Sequence, residues 1–257
     1  MNEIIGNTVG TPLPKPDLAQ TDQSKGNYVH NRELFFKYVD DQIAAIRSDM
    51  EYEPIDITGV SIANTVLASG SKESNTLIEM GATVQAVTVK WTLNTDPNKN
   101  PVSQTVNGAT VEVDKRSAEV PGPFTTGQKF TVIATDERGA TDSNSTSITF
   151  ENGVYYGALA TGATVDSAAV LSLTRKLQGK KAVTFKYTPE NRKRPVFACL
   201  SSYGKPNFTI GPNVYEWDKI GDAIEFTNAS GRVEIYDVWM HCQDINESVS
   251  ITASWEG

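Results

Sequence analysis

The chain has 257 residues, of which 39% are hydrophobic and 21% charged, with a formal net charge of -8. That composition excludes a chain disordered throughout. No run approaches the roughly eighteen apolar residues of a membrane helix, and the acidic balance repels phosphate backbones, so neither a membrane span nor a nucleic-acid partner is expected.

Met1–Gly6 has neither a basic nor an apolar leader region, which predicts no secretory signal. Cys199 and Cys242 are too few for a disulfide framework and read as small hydrophobes in a reducing compartment. His30 and His241 are the two imidazoles. Because His241 and Cys242 are adjacent and His30 is remote, zinc ligation is not expected, and no cofactor or metal is predicted.

Residues 1–30 read as an extended arm, since Gly6, Gly10, Pro12, Pro14 and Pro16 forbid regular helix and disfavour a central strand. Asn31 then reads as an N-cap, with Glu33 in the first turn and the helix running from about Arg32 to Met50. Phe36, Val39, Ile43, Ile46 and Met50 are spaced three, four, three, four, the pattern of a heptad seam. Two explanations stay open: an amphipathic helix lying on its own domain, or self-association. Two heptads are marginal alone in water, so self-association needs help from the neighbouring domains.

From Ile55 to Phe150 the apolar period falls to two. Val87, Val89, Trp91 and Leu93 alternate with polar residues, Asn107-Gly108 is a hairpin signal, and Phe130, Val132 and Ala134 begin another alternating run. Short strands separated by turns over about one hundred residues predict a β-sandwich. Thr131 to Thr141 resembles the last hairpin of immunoglobulin-like repeats of bacteria and viruses, in which an aspartate and a glycine shape the turn. The resemblance implies that Asp136 and Gly139 do so here. In the last hundred residues, Asp166 or Ser167 caps a predicted helix with Ala169, Val170, Leu173 and Leu177 on one face and Gly179 ending it. Strands follow at 182–187, 195–200, 207–210, 223–227, 233–239 and 248–255, which predicts one helix on a mostly antiparallel sheet.

Catalytic patterns are missing. Neither histidine lies in a recognisable motif, there is no nucleophile elbow and no phosphate-cradling loop, and no carboxylate stands out for sugar hydrolysis. Asp96, Asn98 and Asn100 imitate the start of an EF-hand loop, but Pro101 and Asn107 occupy the positions of its glycine and glutamate, leaving a polar loop. Lys180-Lys181 and Arg192-Lys193-Arg194 read as solvated turns or as a surface for an anionic partner such as an acidic glycan or a neighbouring subunit. Tyr203, Phe208, Tyr215, Trp217, Tyr236, Trp239 and Trp255 could stack on sugars, although most are expected in the core.

Two segments resemble virion proteins of tailed bacteriophages. In the arm, Pro16, Asp17, Gln20, Thr21, Asp22, Lys25, Tyr28, Val29, Asn31 and Arg32 match a pattern common there, with Leu18 where an aromatic is usual. In the C-terminal part, Gly153-Val154-Tyr155-Tyr156-Gly157, Ser201-Ser202-Tyr203-Gly204 and Phe226 to Gly231 are similar, in that order, to terminal domains of phage tail and baseplate proteins. The resemblance implies docking on the virion through Pro16, Asp17, Gln20, Thr21, Asp22, Lys25, Tyr28 and Val29, and a non-enzymatic structural role in a tail, baseplate or fibre. The alternatives are a head fibre or capsid decoration protein, or a glycan-binding receptor module or displayed depolymerase. Expected partners are further copies of the chain through Phe36, Val39, Ile43, Ile46 and Met50 (a homotrimer ahead of a dimer), other virion proteins, and host surface glycan. The expected location is the virion, after assembly in the host cytoplasm. The predicted fold is mainly β: an arm (1–30), a heptad helix (31–53), an immunoglobulin-like sandwich (54–151) and a β-rich domain with one helix (152–257).

Overall fold

The computed structural model describes residues 25–50, 52–94 and 101–255, with side chains from Arg32 onward. The fold is mainly β. The chain divides into Met1–Pro54 and Ile55–Gly257, described separately below. The loop at Asp96, Asn98 and Asn100 lies outside the described residues, as do the arm positions Pro16, Asp17, Gln20, Thr21 and Asp22.

The first unit contains α1, Lys25–Met50. It corrects two expectations. Residues 25–30 are helical rather than extended, and Asn31 lies inside the helix instead of capping it. The proline breakers all precede Lys25, and beyond Gly26 no residue opposes helix until Pro54. Glu33 is therefore not a first-turn acid, and its expected interaction with the helix dipole disappears.

The second unit opens with a two-sheet sandwich. Its strands are β1 (Ile57–Ser69), β2 (Leu77–Glu79), β3 (Thr83–Leu93), β4 (Ser103–Val106), β5 (Ala109–Val111), β6 (Ser117–Phe124), β7 (Gln128–Thr135) and β8 (Thr141–Glu151). They form a three-stranded sheet ordered β1-β3-β6 and a five-stranded sheet ordered β2-β8-β7-β4-β5. The alternating residues meet between the sheets: Val87, Val89 and Trp91 pack in one cluster with Val106, Phe130, Val132 and Ile148. Replacing one of the large members, such as Phe130, with Ala is of the kind that costs about 3–5 kcal/mol.

The turns form as their residues dictate. Asn107 and Gly108 join β4 to β5 with φ of 50° and 80°, the two positive values of a tight hairpin turn. Between β7 and β8, Asp136 accepts hydrogen bonds from the backbone N–H groups of Arg138 and Ala140, each at 2.9 Å, and Gly139 takes the left-handed position.

Side chains of β8 tie down the start of β1. Asp142 accepts from the Ile57 N–H at 2.7 Å, and Asn144 donates to the Ile57 carbonyl at 2.9 Å. The Ile57 N–H holds the Asp142 carboxyl below the ordinary carboxylate range, helped by the Ser143 N–H. A lowered folded pKa stabilises fully above the unfolded value of about 3.9, and that contribution is lost as pH falls through the folded value. The protection factor of the Ile57 amide, the intrinsic exchange rate divided by the observed rate at the same pH, is therefore expected to fall on acidification below about pH 3.9. Asp142→Asn should remove that pH dependence, and hydrogen-exchange NMR reads both. An Ile57 exchange profile unaltered by the substitution would contradict this assignment.

The chain crosses into the last hundred residues through Asn152 alone, since β8 ends at Glu151 and β9 begins at Gly153. Here the strands are β9 (Gly153–Ala160), β10 (Thr174–Leu177), β11 (Val183–Tyr187), β12 (Lys193–Leu200), β13 (Asn207–Ile210), β14 (Asn213–Val214), β15 (Trp217–Thr227), β16 (Val233–His241) and β17 (Val249–Ser254). They form a five-stranded sheet, β10-β9-β12-β16-β15, and a four-stranded sheet, β11-β17-β13-β14. The second sheet corrects the expectation of one sheet.

The predicted helix is also corrected. It is α2, Ser167–Leu171, capped by Asp166, whose side chain accepts from the Ala169 N–H at 2.8 Å. Leu173 lies beyond α2, and Leu177 sits on β10, which pairs with β9. Leu173 and Leu177 fit a helical spacing, but burial against the sheet decides their conformation.

The five-stranded sheet is buried on both faces. Phe197 and Trp239 point into the core shared with the four-stranded sheet, where Phe208 stacks on Trp217 with ring centroids 4.0 Å apart. On the other face Val196, Tyr236, Val238 and Met240 pack with Val170 of α2. Double-sided burial explains the near-continuous apolar run of β12, which strict alternation would not produce.

Candidate functional site

In α1, Phe36 is 54% exposed, Ile43 50%, Ile46 54% and Met50 82%, while Val39 is half-buried. The predicted seam is thus an exposed apolar stripe. Leu34 and Phe35, which the sequence reading left out, are exposed as well and widen it. Around the stripe, the Arg32 guanidinium lies 5.8 Å from the Phe36 ring centroid, and Lys37 pairs with Asp41 at 2.9 Å. Such exposed pairs are worth a few tenths of a kcal/mol, about 0.2–0.5, too little to explain the stripe. Of the predicted docking residues, Lys25, Tyr28 and Val29 fall on the helical backbone. Val29 stands one heptad before Phe36, so on a continuous helix it extends the seam register.

The second constellation was not foreseen. Glu79, at the end of β2, is fully buried. Its carboxylate accepts from Arg175 Nη1 of β10 at 2.8 Å and from Ser230 Oγ at 2.6 Å. Arg175 Nη2 donates to Ser71 Oγ at 2.9 Å, and Ser230 Oγ accepts from the Ser71 N–H at 3.1 Å. Asn228 donates through Nδ2 to the Met80 carbonyl at 2.8 Å, while its Oδ1 accepts from the Ser230 and Arg232 N–H groups. A Cβ on Gly81 would stand 2.6 Å from Arg232 Cβ, so the backbone approaches too closely for a larger residue. Beside this network burial raises the Glu234 carboxyl pKa, against the opposing pull of Arg232 at 2.8 Å. Burial also raises the Tyr155 hydroxyl pKa, and that hydroxyl has no hydrogen-bond partner among the described residues. The bonds of Glu79, Ser71 and the Met80 carbonyl to Arg175, Ser230 and Asn228 all cross from the sandwich to the last hundred residues, so the network fastens them together. Its chemistry is structural: a carboxylate held by a guanidinium and a hydroxyl at full burial is an ion pair with its hydrogen bonds satisfied.

The remaining candidates fall mostly into structural roles. Phe208, Trp217, Tyr236 and Trp239 are buried, whereas Tyr215 is 36% exposed. Trp255 donates to the Gly204 carbonyl at 3.1 Å and packs edge-on against Tyr203. Cys199 is buried, and burial pushes its thiol up to about 12, away from reactivity. Cys242 is half-buried, and its thiol is raised by burial and by Asp218. His241 is buried and adjacent to Cys242. Among the described residues no group of three or more His, Cys, Asp and Glu side chains could hold a metal ion. Acids occupy much of the basic clusters: Lys181 reaches Glu151, Lys193 reaches Glu190, and Arg194 binds Asp244 and the Cys242 carbonyl. Among the described residues no helix is long and apolar enough to cross a membrane.

No protein-family model matches the chain, and no curated protein matches it.

Proposed function

We propose that the chain is a structural component of a tailed-phage virion, a tail, baseplate or fibre appendage, with a head fibre as the alternative position. The arm attaches it, α1 associates it with further copies, a homotrimer ahead of a dimer, and the β unit is displayed. One observation carries this reading: an exposed apolar seam runs along a helix placed between a proline-broken arm and a β unit fastened internally by the Glu79–Arg175 junction. The phage assignment is supported by the arm and C-terminal motifs that resemble virion proteins.

Deleting residues 1–24 separates docking from folding, because α1 and the β unit lie beyond the cut. The truncated chain should melt as the full chain does yet be missing from purified particles. Normal incorporation would contradict an attaching arm.

A further inference from the structure

Asn152 alone connects the two β lobes, and its backbone is pinned. Its carbonyl accepts from the Gly179 N–H at 3.1 Å and from the Gln178 N–H at 3.4 Å. Its side chain stands between two groups of different character. On one side is the Glu234 carboxyl, with 9% of its side chain exposed. On the other is the Tyr203 hydroxyl, which shares a hydrogen bond with the Asn152 amide. An amide can present either end to a carboxyl group, Nδ2 as donor or Oδ1 as acceptor. With Nδ2 toward Glu234, Asn152 donates to Oε1 at 3.2 Å and to Oε2 at 2.6 Å. With Oδ1 toward Glu234, the contact holds only when Oε2 carries a proton and donates it. A hydroxyl both donates and accepts, so Tyr203 completes either arrangement.

The short contact favours the protonated arrangement. A separation of 2.6 Å lies within the range of about 2.5–3.0 Å for O–H···O bonds and below that of about 2.7–3.2 Å for N–H···O bonds. The surroundings act in the same direction. Burial opposes a charge on Glu234, and the Glu79 carboxylate of β2 adds to that opposition. Arg175 of β10 is committed to Glu79, at 2.8 Å. Tyr155 of β9 and Tyr236 of β16 lie within electrostatic reach of Glu234, and burial raises their own hydroxyls. The strand β15 sets Phe226 opposite Glu234. Against all of these, Arg232 Nε reaches Glu234 Oε1 at 2.8 Å, but its side chain is 50% exposed and water screens its pull. Burial prevails, and the Glu234 carboxyl titrates above its ordinary value.

We propose that Glu234 and Asn152 form a proton-operated switch at the crossing between the β lobes. In acid, Glu234 is neutral. Its Oε2–H donates to Asn152 Oδ1, its Oε1 accepts from Arg232, and Asn152 Nδ2 donates to Tyr203. When the proton leaves to solvent, the amide turns over: Nδ2 donates to the carboxylate, and the Tyr203 hydroxyl donates to Oδ1. The backbone stays in place, because only the last side-chain bond of Asn152 rotates. A carboxyl raised in the folded state contributes stability that is fully present below the unfolded value of about 4.3 and is lost as pH rises through the folded value. The sign is opposite to that of Asp142, so acid tightens this crossing while it loosens the start of β1.

The test is an NMR titration of the full chain carrying 13C-labelled glutamate and 15N-labelled asparagine. The Glu234 carboxyl should titrate above about 4.3, and the Asn152 Nδ2 protons should lose their contact with the Tyr203 ring at the same midpoint. In Glu234→Gln, Arg232 takes the new oxygen and the new amide nitrogen faces Asn152 Oδ1. The acid arrangement should then persist at every pH, and the Asn152 side-chain signals should no longer titrate. Should that variant fail to fold, the wild-type titration decides alone. A Glu234 midpoint at or below the ordinary value would overturn the switch. So would a Tyr203 contact that is the same at every pH in the wild type, or Asn152 signals that still titrate in Glu234→Gln.

Discussion

Replacing Arg175 with Ala is expected to destabilise the β unit by about 3–5 kcal/mol, the range for breaking a buried ion pair from one side. Glu79 has no exposed surface, so losing the guanidinium leaves its carboxylate with Ser230 as the remaining side-chain partner described above. Desolvation then goes uncompensated, and that uncompensated charge dominates the effect. Arg175→Lys keeps a positive charge but gives up the 2.9 Å bond from Nη2 to Ser71, so it should fall between Ala and the wild type. Urea denaturation reads the series. Because the network joins both β lobes, fluorescence and far-UV circular dichroism should report one shared transition in the wild type. A loss below about 1 kcal/mol for Arg175→Ala would mean that the pair behaves like an exposed one, and that the lobes are fastened elsewhere.

The second large effect belongs to α1. Ile43 is central in the apolar stripe and 50% exposed in the single chain. Fully burying a side chain of this kind is worth about 1.5–3 kcal/mol, and the seam offers several of them to a partner copy. An aspartate at position 43 would put a charge into that interface, where desolvation opposes it. Ile43→Asp should therefore convert the oligomer to monomer at micromolar concentration, as read by light scattering, and leave the melting of the β unit unchanged. Ile43→Leu, which keeps the apolar character, should preserve the oligomer. A wild type that is already monomeric would contradict association through α1, and an oligomer indifferent to Ile43→Asp would place the interface on another surface.

Local chemistry was legible from the sequence. The seam of α1, the Asn107-Gly108 hairpin and the Asp136–Gly139 turn depend on residues close in the chain. So do the alternating strands around Val87 and Phe130. Where two local patterns competed, the sequence misled. Leu173 and Leu177 share a helical spacing with Ala169 and Val170, yet Thr174–Leu177 forms an edge strand on β9. The helix start was misplaced for a related reason: Asn31 is a good cap, but no breaker separates it from the helical residues before it. The Glu79 network was illegible because its partners lie 96 and 151 residues away, and an isolated glutamate or arginine reads as surface charge. The basic runs around Lys181 and Lys193 are largely matched by nearby acids.

The central claim is that this chain attaches, associates and displays on a virion. A density map of particles purified from a lysate in which the chain is made tests it most directly. The account predicts the arm lying along another virion protein, the helices at 25–50 bundled through Phe36, Val39, Ile43, Ile46 and Met50 with threefold symmetry, and the β units projecting outward. Particles that lack the chain, or that carry it as separate monomers with the seam packed on its own β unit, would contradict the account.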